Sequence, residues 1–271
     1  MSGEQAVAWP GHVSRPAGGE AGQGLPAAVV LVVLFWWLAT GVIVAVERND
    51  TTRLLGVIVA TWLLVIAGIL AARVRNECTP RGALIGFTAG ALAWVWVSAL
   101  FYGGIVVGAT AHVPPDLGMA PSVPLAIRAV VATGWSDLLA LATLGAFYLL
   151  PGRNPTAWHT LAVFWGVQQV AKVNVFFGVV NAGVRFLPER LAFLTAFFGP
   201  PRLTPLLVVS IAGLVALGTR WFLRARRAPD RFTRWRLTLL VALVTLAVLE
   251  LIVLGIPHDL PLWDAFLRMR G

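Results

Sequence analysis

The chain predicts an all-α, polytopic transmembrane helical bundle of about seven spans, and three observations carry that expectation. Hydrophobic residues make up 58% of the 271, charged residues only 12%, and mean hydropathy is +0.82, far from the balance of a water-soluble domain. The apolar residues gather in nearly uncharged runs close to the roughly 20 residues that carry a helix across the hydrocarbon core. Those runs do not alternate polar with apolar residues, as the shorter strands of a membrane barrel do.

Residues 1–25 are rich in Gly, Ala and Pro, with one Arg and two Glu. They have no short apolar core ahead of a cleavage site, so they read as a disordered tail and not as a signal peptide. Residues 26–271 then form a single transmembrane domain, with spans expected at 26–46, 54–72, 82–103, 125–150, 158–180, 203–223 and 237–255. The connection 104–124 holds four prolines and no Lys or Arg, which makes it stiff and weakly charged. The stretch FLPERLAFLTAFF, 186–198, opens with a proline suited to a first helical position and sets Leu191, Leu194, Phe197 and Phe198 at helical spacing. It reads as an interfacial helix, or equally as a loop covering the bundle. The tail PLWDAFLRMRG, from 261, has the same mixture of residues and is expected at the same surface.

A net charge of +9 does not point to nucleic acid, because nearly every positive residue stands in a short loop beside a span. Topology and anionic lipid account for it better. Arg15, Arg73, Arg75, Arg81, Arg153, Arg220, Arg224, Arg226, Arg227, Arg231, Arg234 and Arg236 fall on one side of a seven-span path, and Arg48, Arg53, Arg128, Arg185, Arg190, Arg202, Arg268 and Arg270 on the other, 12 against 8. The amino terminus is therefore expected in the cytoplasm and the carboxyl terminus outside a bacterial inner membrane. The single cysteine, Cys78, has no partner for an internal disulfide.

Polar residues inside an apolar span demand an explanation, since a polar group in hydrocarbon must find a partner. The fifth span holds Gln168, Gln169, Lys172 and Asn174, with Asn181 just beyond. At about 100° per residue, Trp165, Gln168, Gln169 and Lys172 share one face, while His159, Asn174 and Asn181 form a second strip. Polar residues on both sides predict that this helix sits among its neighbours at the centre of the bundle. An unpaired charge at mid-membrane costs roughly 2.5–3.5 kcal/mol, so Lys172 calls for an acid. Asp137 is the acid near the middle of a span. Spans four and five are joined by a short connection and run antiparallel, and a hairpin centred near residue 154 or 155 sets 137 opposite 172. The pair either fixes helix packing or belongs to a proton path or substrate site. Arg128 and Glu250 share a depth near the outer ends of spans four and seven and form a candidate second pair, although Arg128 can also snorkel to the interface.

Enzyme templates fit poorly. The sequence has no paired-Cys metal motif, no HExxH and no phosphate loop, and its glycines lie inside spans, where small residues let helices approach closely. His12, His112, His159 and His258 do not stand at ligand spacing. No metal site is expected. His159, beside Trp158 at a span boundary, is either an interfacial hydrogen bonder or an axial ligand for a porphyrin metal. The twelve tryptophans suit membrane interfaces and packing, or the flanks of a flat pigment.

The segment WHTLAVFWGVQQVAKVNVFFGVVNAGVRFLPERLAFL, from Trp158, resembles the signature region of the PuhE family, known as photosynthetic complex assembly protein 2. The resemblance rests on Ala171, Lys172, Asn174, Phe177, Gly178 and Val179, on Asn181, and on the FLPERL run from Phe186 to Leu191. It extends over about residues 26–266. Ala182-Gly183-Val184-Arg185 stands where family members carry acidic residues, which makes Arg185, Glu189 and Arg190 the candidate partner surface. The resemblance implies a non-enzymatic assembly factor for the reaction centre and its core antenna, with a hand in bacteriochlorophyll supply. Its partners would be subunits of those complexes, other assembly factors and membrane lipid. The rival reading is a small proton-coupled transporter or membrane enzyme built on Asp137 and Lys172. Against it stand the lack of an internal repeat and of a His or carboxylate cluster near one surface.

Overall fold

The computed structural model describes residues 20–46, 49–105, 123–150, 152–257, 261 and 264–270, with side chains described from residue 26 and, in the fourth helix, from residue 133. All of its regular structure is helical. The helices are α1 (Glu20–Val46), α2 (Asp50–Val74), α3 (Pro80–Tyr102), α4 (Val123–Tyr148), α5 (Thr156–Phe177), α6 (Pro205–Arg227), α7 (Arg231–Leu254) and α8 (Asp264–Arg270), with two 3-10 segments, Val184–Phe186 and Glu189–Phe197. Among the described residues five helices are long and apolar enough to cross a membrane: Pro26–Val46 within α1, α2, α3, α6 and α7.

Side-chain caps set many of the boundaries. Asn49 accepts from the Thr52 N–H in a capping box, Thr79 accepts from the Gly82 N–H ahead of α3, Thr204 accepts from the Leu207 N–H ahead of α6, and Asp230 accepts from the Thr233 N–H ahead of α7. α3 and α6 also carry proline in their first turn, where no hydrogen bond is lost. Helix α1 begins at Glu20, ahead of the expected 26, and residues 1–19 of the expected tail lie outside the described residues. α6 and α7 run to within three residues of each other, so the expected basic sixth loop is a helical corner with only 228–230 between its arginine-bearing ends.

The centre of the bundle belongs to α3 and not, as expected, to α5. α3 packs on α2, α5, α7, α4 and α1, and small residues are the reason. Gly82, Gly86 and Gly90 repeat at four-residue intervals and line one helix face, which permits backbone contact. A side chain at Gly90 would collide with the Ala157 carbonyl, and one at Gly86 would come within 2.9 Å of Thr156 Cβ. Bulk returns one turn further on, where Trp94 stacks on Phe164 at 4.6 Å between ring centres. Those two rings join Val32, Phe87, Leu239 and Leu243 in a core shared by α1, α3, α5 and α7.

Asn154 closes the bundle at the arginine-rich end. Its amide donates to the carbonyls of Val74, Glu77 and Gly82, and its Oδ1 accepts from the backbone and hydroxyl of Thr156. One side chain thus ties the α2–α3 and α4–α5 connections together. At the opposite end the Glu189–Phe197 segment is a 3-10 helix whose Leu191 and Leu194 bury against Phe101. Its apolar side covers the end of α3. α8 returns to α1, with Phe266 seated in the space that a side chain at Gly41 would need and set edge-on to Trp37 at 5.2 Å.

Candidate functional site

Lys172 is the one lysine of the chain, and α5 presents it to α4. Its Nζ donates to Asp137 Oδ1 at 2.8 Å and Oδ2 at 3.0 Å, while Gln169 Nε2 donates to the same Oδ1 at 2.8 Å. The ammonium also stands 5.7 Å from the centre of the Phe101 ring on α3, within range of a cation–π attraction. Both charged side chains are half-buried, at 24% and 21% exposure. The carboxylate therefore accepts on both oxygens from a cation braced by an amide, an arrangement that holds two helices in register.

The six polar residues singled out for the middle of the bundle, Asp137, Gln168, Gln169, Lys172, Asn174 and Asn181, do not all meet. Asp137, Gln169 and Lys172 come together as described. Gln168 makes no hydrogen bond among the described residues. Asn174, 1% exposed, lies some 200° around the helix from Lys172 and turns to α6, donating to Ser210 Oγ at 2.9 Å and to the Val170 carbonyl. Asn181 is not on the helix at all. α5 stops at Phe177 because Gly178 takes a φ of +111° and sits against the backbone of Gly199 and Pro200, where a side chain has no room. Beyond that stop the Asn181 N–H donates to the Leu254 carbonyl, and its Oδ1 accepts from the Gly183 N–H.

Two of the three charges expected on a partner surface are engaged within the chain. Arg185 pairs with Asp264 of α8 at 2.8 Å and lies over the Phe186 ring, and Arg190 approaches Asp50 of α2 at 3.7 Å. Glu189 remains exposed. Arg53 also belongs to this end, donating to the Gly103 carbonyl at 2.9 Å and pairing with Asp50 at 3.0 Å. Of the Arg128–Glu250 pair, the Arg128 side chain lies outside the described residues, and Glu250 is partly buried near the end of α7.

His159 is the histidine found among the described residues; His12, His112 and His258 lie outside them. Its Nδ1 is 2.8 Å from the Pro155 carbonyl, so that nitrogen carries the proton and Nε2 keeps a free lone pair. The ring stands edge-on to Trp158 at 4.8 Å. Trp94, in contrast, gives its face to Phe164 and fills the core.

The comparisons with known proteins follow the same stretch of chain. Residues 23–270 match the family described as Protein of unknown function (DUF3623). The chain belongs to that family. The DUF3623 chain is also 30% identical over 249 residues to a protein of Rhodobacter capsulatus named "Uncharacterized 30.4 kDa protein in puhA 5'region", covering 88% of this chain and 89% of the relative. No solved structure matches it. The matched region takes in every residue of the Asp137 site, the Asn154 tie and the Arg185–Asp264 pair.

Sequence reasoning missed Ser210, Asn154, Arg53 and Asp264. Ser210 had a signal, being a polar residue inside the sixth span at a depth that Asn174 could reach. Asn154, between Pro151 and Pro155, resembled ordinary turn chemistry. Asp264 lies 79 residues from its partner, and no local spacing announces such a contact.

Proposed function

We propose that this DUF3623 protein is a membrane-embedded assembly factor of the bacterial photosynthetic apparatus, of the PuhE type, acting on reaction-centre or core-antenna subunits as they are built. The observation that carries the reading is the near full-length match to a relative named for its position 5' of puhA, a gene of the same puh designation as the family that the Ala171–Leu191 core resembles. The site supports a scaffold better than a catalyst. Its ion pair is braced by Gln169 and by the Phe101 ring, so it serves to hold α4, α5 and α3 at fixed separation. In this reading the protein lies in the cytoplasmic or intracytoplasmic membrane, with the arginine-rich end facing the cytoplasm.

A tetrapyrrole fits one donor. His159 Nε2 would hold the magnesium of a bacteriochlorophyll, with the Pro155 carbonyl fixing the tautomer, and the pigment would supply the cargo or the signal of its own abundance.

Deleting the gene in a phototrophic host is the test. Expected are lower amounts of assembled reaction centre and core antenna, or altered bacteriochlorophyll, with respiratory growth unchanged. Normal pigment–protein complexes in the deletion strain would reject the reading.

A further inference from the structure

Among the five helices long and apolar enough to cross a membrane, α6 is the least enclosed, with 11% of its apolar window buried, and its arginine-bearing half is not uniformly apolar. A shallow, open hollow of about 520 Å³ lies between the side chains of this one helix, lined by Ala216, Thr219, Arg220, Leu223, Arg224 and Arg227. The spacing accounts for the hollow. Positions 216, 220, 223, 224 and 227 follow the three- and four-residue steps of one helix face, small at 216 and 219 and long and cationic at 220, 224 and 227. Over seven residues the three arginines span roughly 10 Å along the axis, from within the apolar layer to the end of the helix.

These guanidiniums have no carboxylate. None of the three forms an ion pair or hydrogen bond among the described residues. Asp230, the acid nearest in sequence, is committed to capping α7 through the Thr233 N–H at 2.7 Å. Arg226, by contrast, points elsewhere and lies over Phe222. Three unpaired cations beside an apolar trough at the membrane boundary call for a ligand with an anionic head and a hydrocarbon tail, because arginine binds phosphate oxygens in a forked geometry and the tail keeps the apolar wall out of water.

We propose that the α6 hollow is a binding site for one anionic phospholipid, its phosphate held by Arg220, Arg224 and Arg227 and one acyl chain lying along Ala216 and Leu223. The site is specific, beyond the general attraction of basic loops to anionic leaflets. It shares no residue with the Asp137 site and stands independently of the assembly reading.

The test uses the full chain purified in detergent, with dioleoylphosphatidylglycerol, dioleoylphosphatidylcholine and soluble glycerol phosphate as probes and lipid retention read by native mass spectrometry. The wild type should retain one phosphatidylglycerol in preference to phosphatidylcholine. The triple variant Arg220→Gln, Arg224→Gln, Arg227→Gln should weaken that binding on the order of tenfold or more. A charge-matched control, Arg73→Gln, Arg75→Gln, Arg81→Gln, removes three arginines from the same end and should change it less than about twofold. Ala216→Trp keeps every charge and fills the trough, and should also weaken phosphatidylglycerol binding. Equal binding of the two lipids, or equal loss in the two triple variants, would overturn the proposal. So would competition by glycerol phosphate as effective as that of the intact lipid, since it would make the site one for a free anion.

Discussion

Lys172 and Asp137 meet across 35 residues of chain, ammonium to carboxylate at 2.8 Å, on two helices joined by a short connection. Neither charge has a place in an apolar layer alone, so each is the condition for the other. Lys172→Met should lower the yield of folded protein and cost about 3 kcal/mol, because it leaves an unpaired carboxylate in the membrane. Adding Asp137→Leu should restore most of that loss. Detergent-solubilised folded fraction, measured for both singles and the double, checks it. A double variant as unstable as the sum of the singles would mean that the two residues are not energetic partners.

Gly90 and Gly145 make a second contrast. A side chain at Gly90 meets the Ala157 carbonyl, whereas nothing lies within 4 Å of the position a side chain would take at Gly145. Gly90→Leu should separate α3 from α5 and destabilise by about 3 kcal/mol, while Gly145→Leu should be neutral or slightly stabilising through helix propensity. Thermal unfolding of the two purified variants distinguishes them, and similar midpoints would contradict the α3–α5 contact.

Asn154→Ala removes three donations to carbonyls and two acceptances from Thr156, and about 2 kcal/mol or more should go with them. Asn154→Asp keeps the acceptor for Thr156 but turns a carboxylate oxygen toward Val74, Glu77 and Gly82. It should be at least as harmful as alanine. Stability near wild type in the aspartate variant would assign the effect to the helix cap alone.

Topology can be read from cysteine chemistry. Cys78 is exposed, beside the Arg153 carbonyl at the arginine-rich end. In intact cells with a permeabilised outer membrane it should resist a membrane-impermeant thiol reagent, whereas Arg202→Cys in a Cys78→Ser background should react. The reverse pattern would invert the orientation.

Much of the fold was legible because hydrocarbon is a simple solvent. Length and hydropathy locate α2 to α6 within about four residues and the starts of α1 and α7 within about six, and the short α4–α5 connection leaves the Asp137–Lys172 register little freedom. Three things were harder to read. Hydropathy carries the fifth span to 180 and gives Asn181, just beyond, a place on its second polar strip, yet the chain turns at Gly178, whose positive φ hydropathy does not register. Polarity on both faces points to α5 as the central helix, whereas close approach follows from small residues, and Gly82, Gly86 and Gly90 carry that signal for α3. Local sequence offers Arg185 and Arg190 as a candidate partner surface, and their ion pairs to Asp264 and Asp50 depend on how remote segments fold together.

The seat that α8 takes on α1 joins the first described helix to the last. Phe266 occupies the space left by Gly41, and Asp264 engages Arg185, so α1 leaves the translocon long before its final neighbour has been translated. For that interval the Trp37–Gly41 face is open to lipid, to chaperones or to another nascent chain. The seat of α8 can therefore be filled only after α8 is synthesised, and a bulky fusion placed directly on Asp264–Arg270 should obstruct that docking and not the insertion that precedes it.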